Sequence, residues 1–138
     1  MTTLEQRLEH AATLRRSGHN CAQCVMLAFS DIISDRMPED AAEAFSIALG
    51  GGVGGTGHVC GAISAMASTI GIMRYTSPAD KMAIYKEVQG LTRSFAEFNG
   101  GITECRLLRV PGAKSCNLLI QDAVTILHNH ISGTDAAE

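Results

Sequence analysis

The sequence predicts an all-α fold, a compact single-domain bundle of about six helices over residues 1–138, and three observations carry that expectation. Apolar residues recur at three- and four-residue spacing along most of the chain, and helix-capping residues punctuate it. No segment alternates apolar and polar residues with the period of two that a half-buried strand requires. Residues 44–73 contain no Asp, Glu, Lys or Arg, which marks the helix after the glycine-rich run as the central, buried one. With 46% hydrophobic residues the 138-residue chain can fill one core, and no composition break announces a second domain.

Taken in order, Leu4, Leu8 and Ala11 stand at helical spacing between charges, so residues 3–16 form a first amphipathic helix that stops near Gly18. Asn20 and Gln23 make a capping-box pair, and Cys21, Val25, Ala28 and Ile32 follow on one face of a second helix. Pro38, Glu39 and Asp40 suit the first turn of a third, with Ala41, Ala44, Phe45 and Ala48 as its apolar face. Six glycines within residues 50–57 form a loop. The central helix then presents Ile63, Met66, Ala67, Ile70 and Met73, with Gly61, Ala62, Ala65 and Ser68 keeping its other side thin. Ser77, Pro78 and Asp80 open a long helix carrying Ile84, Val88, Leu91, Phe95 and Phe98. Thr103 caps a short turn with Cys105, Leu107 and Leu108, and Ser115 caps a last helix with Cys116, Ile120, Ala123, Val124, Leu127 and Ile131. The tail from about residue 132 is expected to fray.

Composition removes several functions. Eleven basic and 14 acidic residues are spread without a basic stripe, so nucleic acid is not an expected partner. The apolar run 59–73 is shorter than the roughly 20 residues of a membrane helix, and no membrane insertion is expected. Residues 1–16 carry Glu5, Arg7, Glu9, Arg15 and Arg16 and have no signal-peptide core, so the expected location is cytoplasmic. Five cysteines in that setting point to thiol chemistry, metal binding or simple burial rather than a disulfide framework.

Four of them, Cys21, Cys60, Cys105 and Cys116, fall in the first turn of an expected helix. Unpaired amides and the positive end of the helix dipole favour a thiolate there, the form that attacks electrophiles and binds metals. Cys24 adds a Cys21-x-x-Cys24 pair that could serve as a redox dithiol with Cys60 as a further thiol. The amides of Gly52, Gly54, Gly55 and Gly57 could cradle an anion, cluster sulfides or the Cys60 thiolate. These glycines follow a helix and lack a P-loop lysine, so nucleotide is not the expected ligand. His19 and His58 each stand two residues before one of the four cysteines, as capping residues or as replacement ligands. No Ser-His-Asp or paired-carboxylate arrangement is visible.

These residues resemble a redox-active family named after the pattern Cys, Gly-Cys-Ala-x-x-Gly, Cys, Cys. The likeness rests on Asn20-Cys21-Ala22-Gln23, the glycine run, Cys60-Gly61-Ala62-Ile63-Ser64, Cys105-Arg106-Leu107-Leu108 and Cys116, and spans about residues 18–127. Here Cys60-Gly61-Ala62 replaces Gly-Cys-Ala, Ala65 stands at the last glycine, and ten residues separate Cys105 from Cys116. The resemblance implies a small helical domain whose four cysteines hold an iron–sulfur centre or act as redox thiols. The leading expectation is an electron-transfer protein with Cys21, Cys60, Cys105 and Cys116 holding a [2Fe–2S] cluster for an unknown redox partner. Thiol–disulfide exchange through Cys21 and Cys24, a structural Zn site on the same four thiolates, and a helical interaction module without cofactor remain the alternatives. A homodimer through Gly61, Ala65 and Ser68 with Phe95 and Phe98 is a further expectation.

Overall fold

Capping chemistry sets where the helices begin. Thr3 accepts the Gln6 amide at 3.1 Å while the Gln6 side chain accepts the Thr3 amide at 2.8 Å, and Asn20 and Gln23 repeat the device at 2.9 and 3.0 Å. The computed structural model describes residues 2–133, among which there are eight α-helices, one 3₁₀ turn and no β-strand. The helices are α1 (Leu4–Arg16), α2 (Cys21–Leu27), α3 (Ser30–Ile33), α4 (Glu39–Ile47), α5 (Gly61–Arg74), α6 (Lys81–Phe98), α7 (Cys105–Leu108) and α8 (Cys116–Ser132). The 3₁₀ turn, Pro78–Asp80, leads into α6.

The all-α class is as expected, and the higher helix count has two local causes. The second expected helix breaks at Ala28–Phe29, where Arg7 Nη1 donates to the Ala28 carbonyl oxygen at 2.8 Å and takes it out of the helical ladder. The Cys105 turn is a four-residue helix of its own, and its N-cap is Glu104 rather than Thr103. The Thr103 carbonyl instead accepts the Cys60 amide.

Helix α5, uncharged up to its last residue Arg74, is the central element, packed against α2, α6 and α8 and touched by α3. Ala62, Ile63, Ala65, Met66, Thr69 and Ile70 are buried along it, and α1 closes the core over α2 and α8. Two expectations about faces change. Helix α4 turns Ala42 and Ser46 inward and leaves Phe45 48% exposed, because Ser46 satisfies its hydroxyl on the Ala42 carbonyl at 2.6 Å and can be buried. Gly61, Ala65 and Phe95 are buried inside the chain, so of the surface expected to meet a second copy only Ser68 and Phe98 reach solvent. Helix α8 runs to Ser132 with Gly133 as a left-handed cap, and residues 134–138 of the expected frayed tail lie outside the described residues. No helix among the described residues is long and apolar enough to cross a membrane.

Candidate thiol site

Between α4 and α5 the backbone of residues 51–55 takes five successive positive φ values, 67, 74, 66, 61 and 78°, with Val53 as the one non-glycine. A left-handed turn of this length is costly for side-chain-bearing residues and needs the glycines. The loop closes on itself: Gly54 donates to the Ala48 carbonyl at 2.7 Å, Gly55 to Gly50 at 3.1 Å and Gly57 to Gly51 at 3.0 Å. Thr56 Oγ1 donates to the Gly52 carbonyl at 2.7 Å.

Where the loop ends, Val59 and Glu104 form an isolated antiparallel bridge. The Cys60 amide donates to the Thr103 carbonyl at 2.8 Å, and the Cys105 amide to the His58 carbonyl at 2.6 Å. This clasp sets the start of α5 beside the start of α7. Gly52 lies beneath it, where a Cβ would stand 2.5 Å from the His58 nitrogen and 2.8 Å from the Cys105 Cβ.

The four helix starts converge. Cys21, Cys60, Cys105 and Cys116 line one enclosed cavity of about 20 Å³, together with Gly51, Leu108, Arg109 and Leu119. Cys21, Cys105 and Cys116 are the first residues of α2, α7 and α8, while Cys60 is the N-cap of α5. All are free thiols. The expected thiolate character does not extend to Cys60, whose pKa burial pushes up to about 12 although the Ala62 and Ile63 amides donate to its sulfur. Burial also raises Cys21, against the amide of Gly51. Desolvation outweighs the helix-end amides at both. On the outer side the exposed Arg109 guanidinium is held above its ordinary pKa by Cys116 and by a hydrogen bond to Cys105. Among the described residues no group of three or more His, Cys, Asp and Glu side chains is spaced to hold a metal ion as the chain stands.

The family described as "Putative redox-active protein (C_GCAxxG_C_C)" matches residues 19–130, a stretch that includes all four cavity cysteines. The chain belongs to that family. An uncharacterized protein of Archaeoglobus fulgidus is 25% identical over 142 aligned residues, covering 91% of this chain and 93% of the relative. No solved structure matches the chain. Within the family pattern, Gly61 has a local reason: a Cβ there would stand 2.8 Å from the Cys21 sulfur.

The other singled-out residues lie apart from the cavity. Cys24 is fully buried, its thiol directed at the His19 carbonyl oxygen 3.8 Å away, and burial raises its pKa to about 11. His19 hydrogen-bonds the Leu14 carbonyl and Glu43, and the His58 side chain is exposed. The amides of Gly54, Gly55 and Gly57 go to loop carbonyls, and the loop amide directed at a thiol is that of Gly51. Gly51 and Arg109 were not singled out from the sequence. Arg109 stands four residues after Cys105, one helical turn on, which is the spacing that could have marked it.

Proposed function

We propose that the protein is a redox carrier whose working centre is the cavity of Cys21, Cys60, Cys105 and Cys116, with these four cysteines as ligands of a [2Fe–2S] cluster. The observation that carries this reading is the meeting of four cysteines from four separate segments around one enclosed space. Four thiolates are the usual ligand set of such a cluster. The donors suit it: they are soft sulfurs, with backbone amides on Cys21 and Cys60 and a guanidinium beside Cys105 and Cys116. At about 20 Å³ the cavity is a single water-sized space, so the thiols must draw apart on loading. Once bound, the cluster supplies one-electron oxidation and reduction.

The chain's own residues do the rest. Metal loading displaces the thiol protons, and the amides of Gly51, Ala62 and Ile63 share the resulting charge on Cys21 and Cys60. Leu108 and Leu119 exclude water, and Arg109 offsets charge on the side open to a redox partner. Five reduced cysteines suit a cytoplasmic location.

The small cavity favours a second reading, thiol–disulfide exchange without metal. Two cavity thiols would give two electrons and two protons to a partner disulfide, which leaves as two thiols while a disulfide forms here. Cys24, outside the cavity, is not one of the pair. Purification without oxygen followed by iron, sulfide and zinc analysis decides between these. Iron with sulfide, lost in Cys60→Ser, supports the cluster. Metal-free protein that loses two thiols on mild oxidation, and still does so in Cys24→Ala, supports the exchange. Zinc without redox activity rejects both.

A further inference from the structure

Helix α5 has 14 residues and so is about 21 Å long. Cys60 caps one end, and the other borders a second cavity of about 710 Å³ that shares no residue with the thiol site. Its wall is mostly apolar, built from Met37, Phe45, Ile72, Tyr75, Ile84 and Tyr85, and the volume falls within the ~300–1,000 Å³ of small-molecule sites.

Two further observations say what such a molecule must be. Arg36 and Lys81 both line the cavity and no Asp or Glu does, in a chain whose formal charge is -3. Arg36 is fixed in place, its Nη1 donating to the carbonyl oxygens of Ile72, at 3.2 Å, and Tyr75. Lys81 Nζ lies 5.9 Å from the centre of the Tyr85 ring and has no ion-pair partner among the described residues. The second observation is Gly71, in the last turn of α5 and on the cavity wall, where a Cβ would meet no atom within 4 Å. A glycine there costs the helix up to about 1 kcal/mol relative to alanine, and no neighbour requires it. What its missing side chain leaves is cavity volume.

We propose that this cavity binds an apolar monocarboxylate, its hydrocarbon or aryl body against Phe45, Ile72 and Tyr85 and its anionic head at Arg36 and Lys81. A second copy of the chain fits less well. A two-fold contact places the same patch against itself, so Arg36 and Lys81 would face their own duplicates with no carboxylate on the wall to pair them.

Calorimetric titration of the full chain with dodecanoate below its micelle concentration, beside the neutral dodecanol, tests the assignment. Saturable one-to-one binding of dodecanoate is expected. Gly71→Leu, which fills open space on a helix that favours leucine over glycine, should weaken binding by about tenfold or more without lowering the melting temperature. Lys81→Gln should weaken dodecanoate and leave dodecanol unchanged. The proposal is overturned by no saturable binding to the wild-type chain, by wild-type affinity in a folded Gly71→Leu, or by indifference of dodecanoate to Lys81→Gln. A dimer in solution that Gly71→Leu splits, with no dodecanoate bound, would also overturn it and assign the face to a second copy.

Discussion

Gly61 and Cys21 meet without a side chain between them: a Cβ on Gly61 would stand 2.8 Å from the Cys21 sulfur and 2.9 Å from the Leu49 carbonyl oxygen. Helix α5 therefore approaches α2 as closely as backbone allows, and that approach brings Cys60 and Cys21 to the same cavity.

Gly61→Ala should displace the Cys21 sulfur or part the two helices. Overpacking of this kind costs about 1–3 kcal/mol, and the variant should lose the cavity chemistry of Cys21. Gly90→Ala is the contrast, since a Cβ in that α6 position meets nothing within 4 Å, and it should gain roughly 0.5–1 kcal/mol. Chemical denaturation of both variants checks the pair, and similar shifts in the two would remove the packing argument.

Arg109→Gln should lower the reduction potential of the centre. The guanidinium beside Cys105 and Cys116 stabilises the more negative, reduced state, whether the electrons reside on sulfur or on a cluster. A fall on the order of 30 mV, about 0.7 kcal/mol for a one-electron cluster and about 1.4 kcal/mol for a two-electron thiol couple, is expected in a redox titration, with the melting temperature little changed. A rise, or no change, contradicts the role.

Cys24 should be the slowest thiol to alkylate in the folded protein, because it is fully buried and its pKa is pushed up to about 11. Its raised pKa gives stability that is present in full below the ordinary thiol value and is lost as pH rises through about 11. Cys24→Ala should cost about 1 kcal/mol and leave the redox behaviour of the other four thiols intact. Mass spectrometry of timed alkylation reads the first point; fast labelling of Cys24 would mean the core around α2 opens readily.

Acid should weaken the fold in two stages through the buried Arg7. Its Nη1 donates to Asp31 at 2.6 Å and its Nε to His128 Nδ1 at 3.1 Å, while its guanidinium lies 4.4 Å from the centre of the Phe29 ring. Burial and the Arg7 charge lower the His128 pKa; at Asp31 burial acts upward, but the hydrogen bonds from Arg7 and Thr2 prevail and the net shift is downward. Both groups bind fewer protons folded than unfolded, so stability rises with pH across each titration. The His128 contribution is complete above about pH 6.5 and that of Asp31 above about pH 3.9, and each is lost as pH falls through its lower folded value. Unfolding midpoints measured from pH 8 to pH 3 should show both declines. His128→Gln should flatten the upper one and Asp31→Asn the lower.

Much of this molecule was legible in one dimension. The capping pair at Asn20, the helical spacing of apolar residues and the charge-free window around α5 determined an all-α class, most helix starts and the central element, because caps and periodicity are local properties of the chain. The same local reading put four cysteines at four helix starts, and the family pattern could be named from them. Only the tertiary structure decided that those starts share one cavity, because convergence depends on the Val59–Glu104 bridge and on contacts between α2, α5, α7 and α8. It also decided that the pKa values of Cys21 and Cys60 are raised: a helix start favours a thiolate, but the burial that opposes it at these two comes from residues distant in sequence. Arg109, Gly51 and the exposed side of Phe45 were hidden for the same reason, since a residue's neighbours across the fold are set by packing and not by its place in the chain.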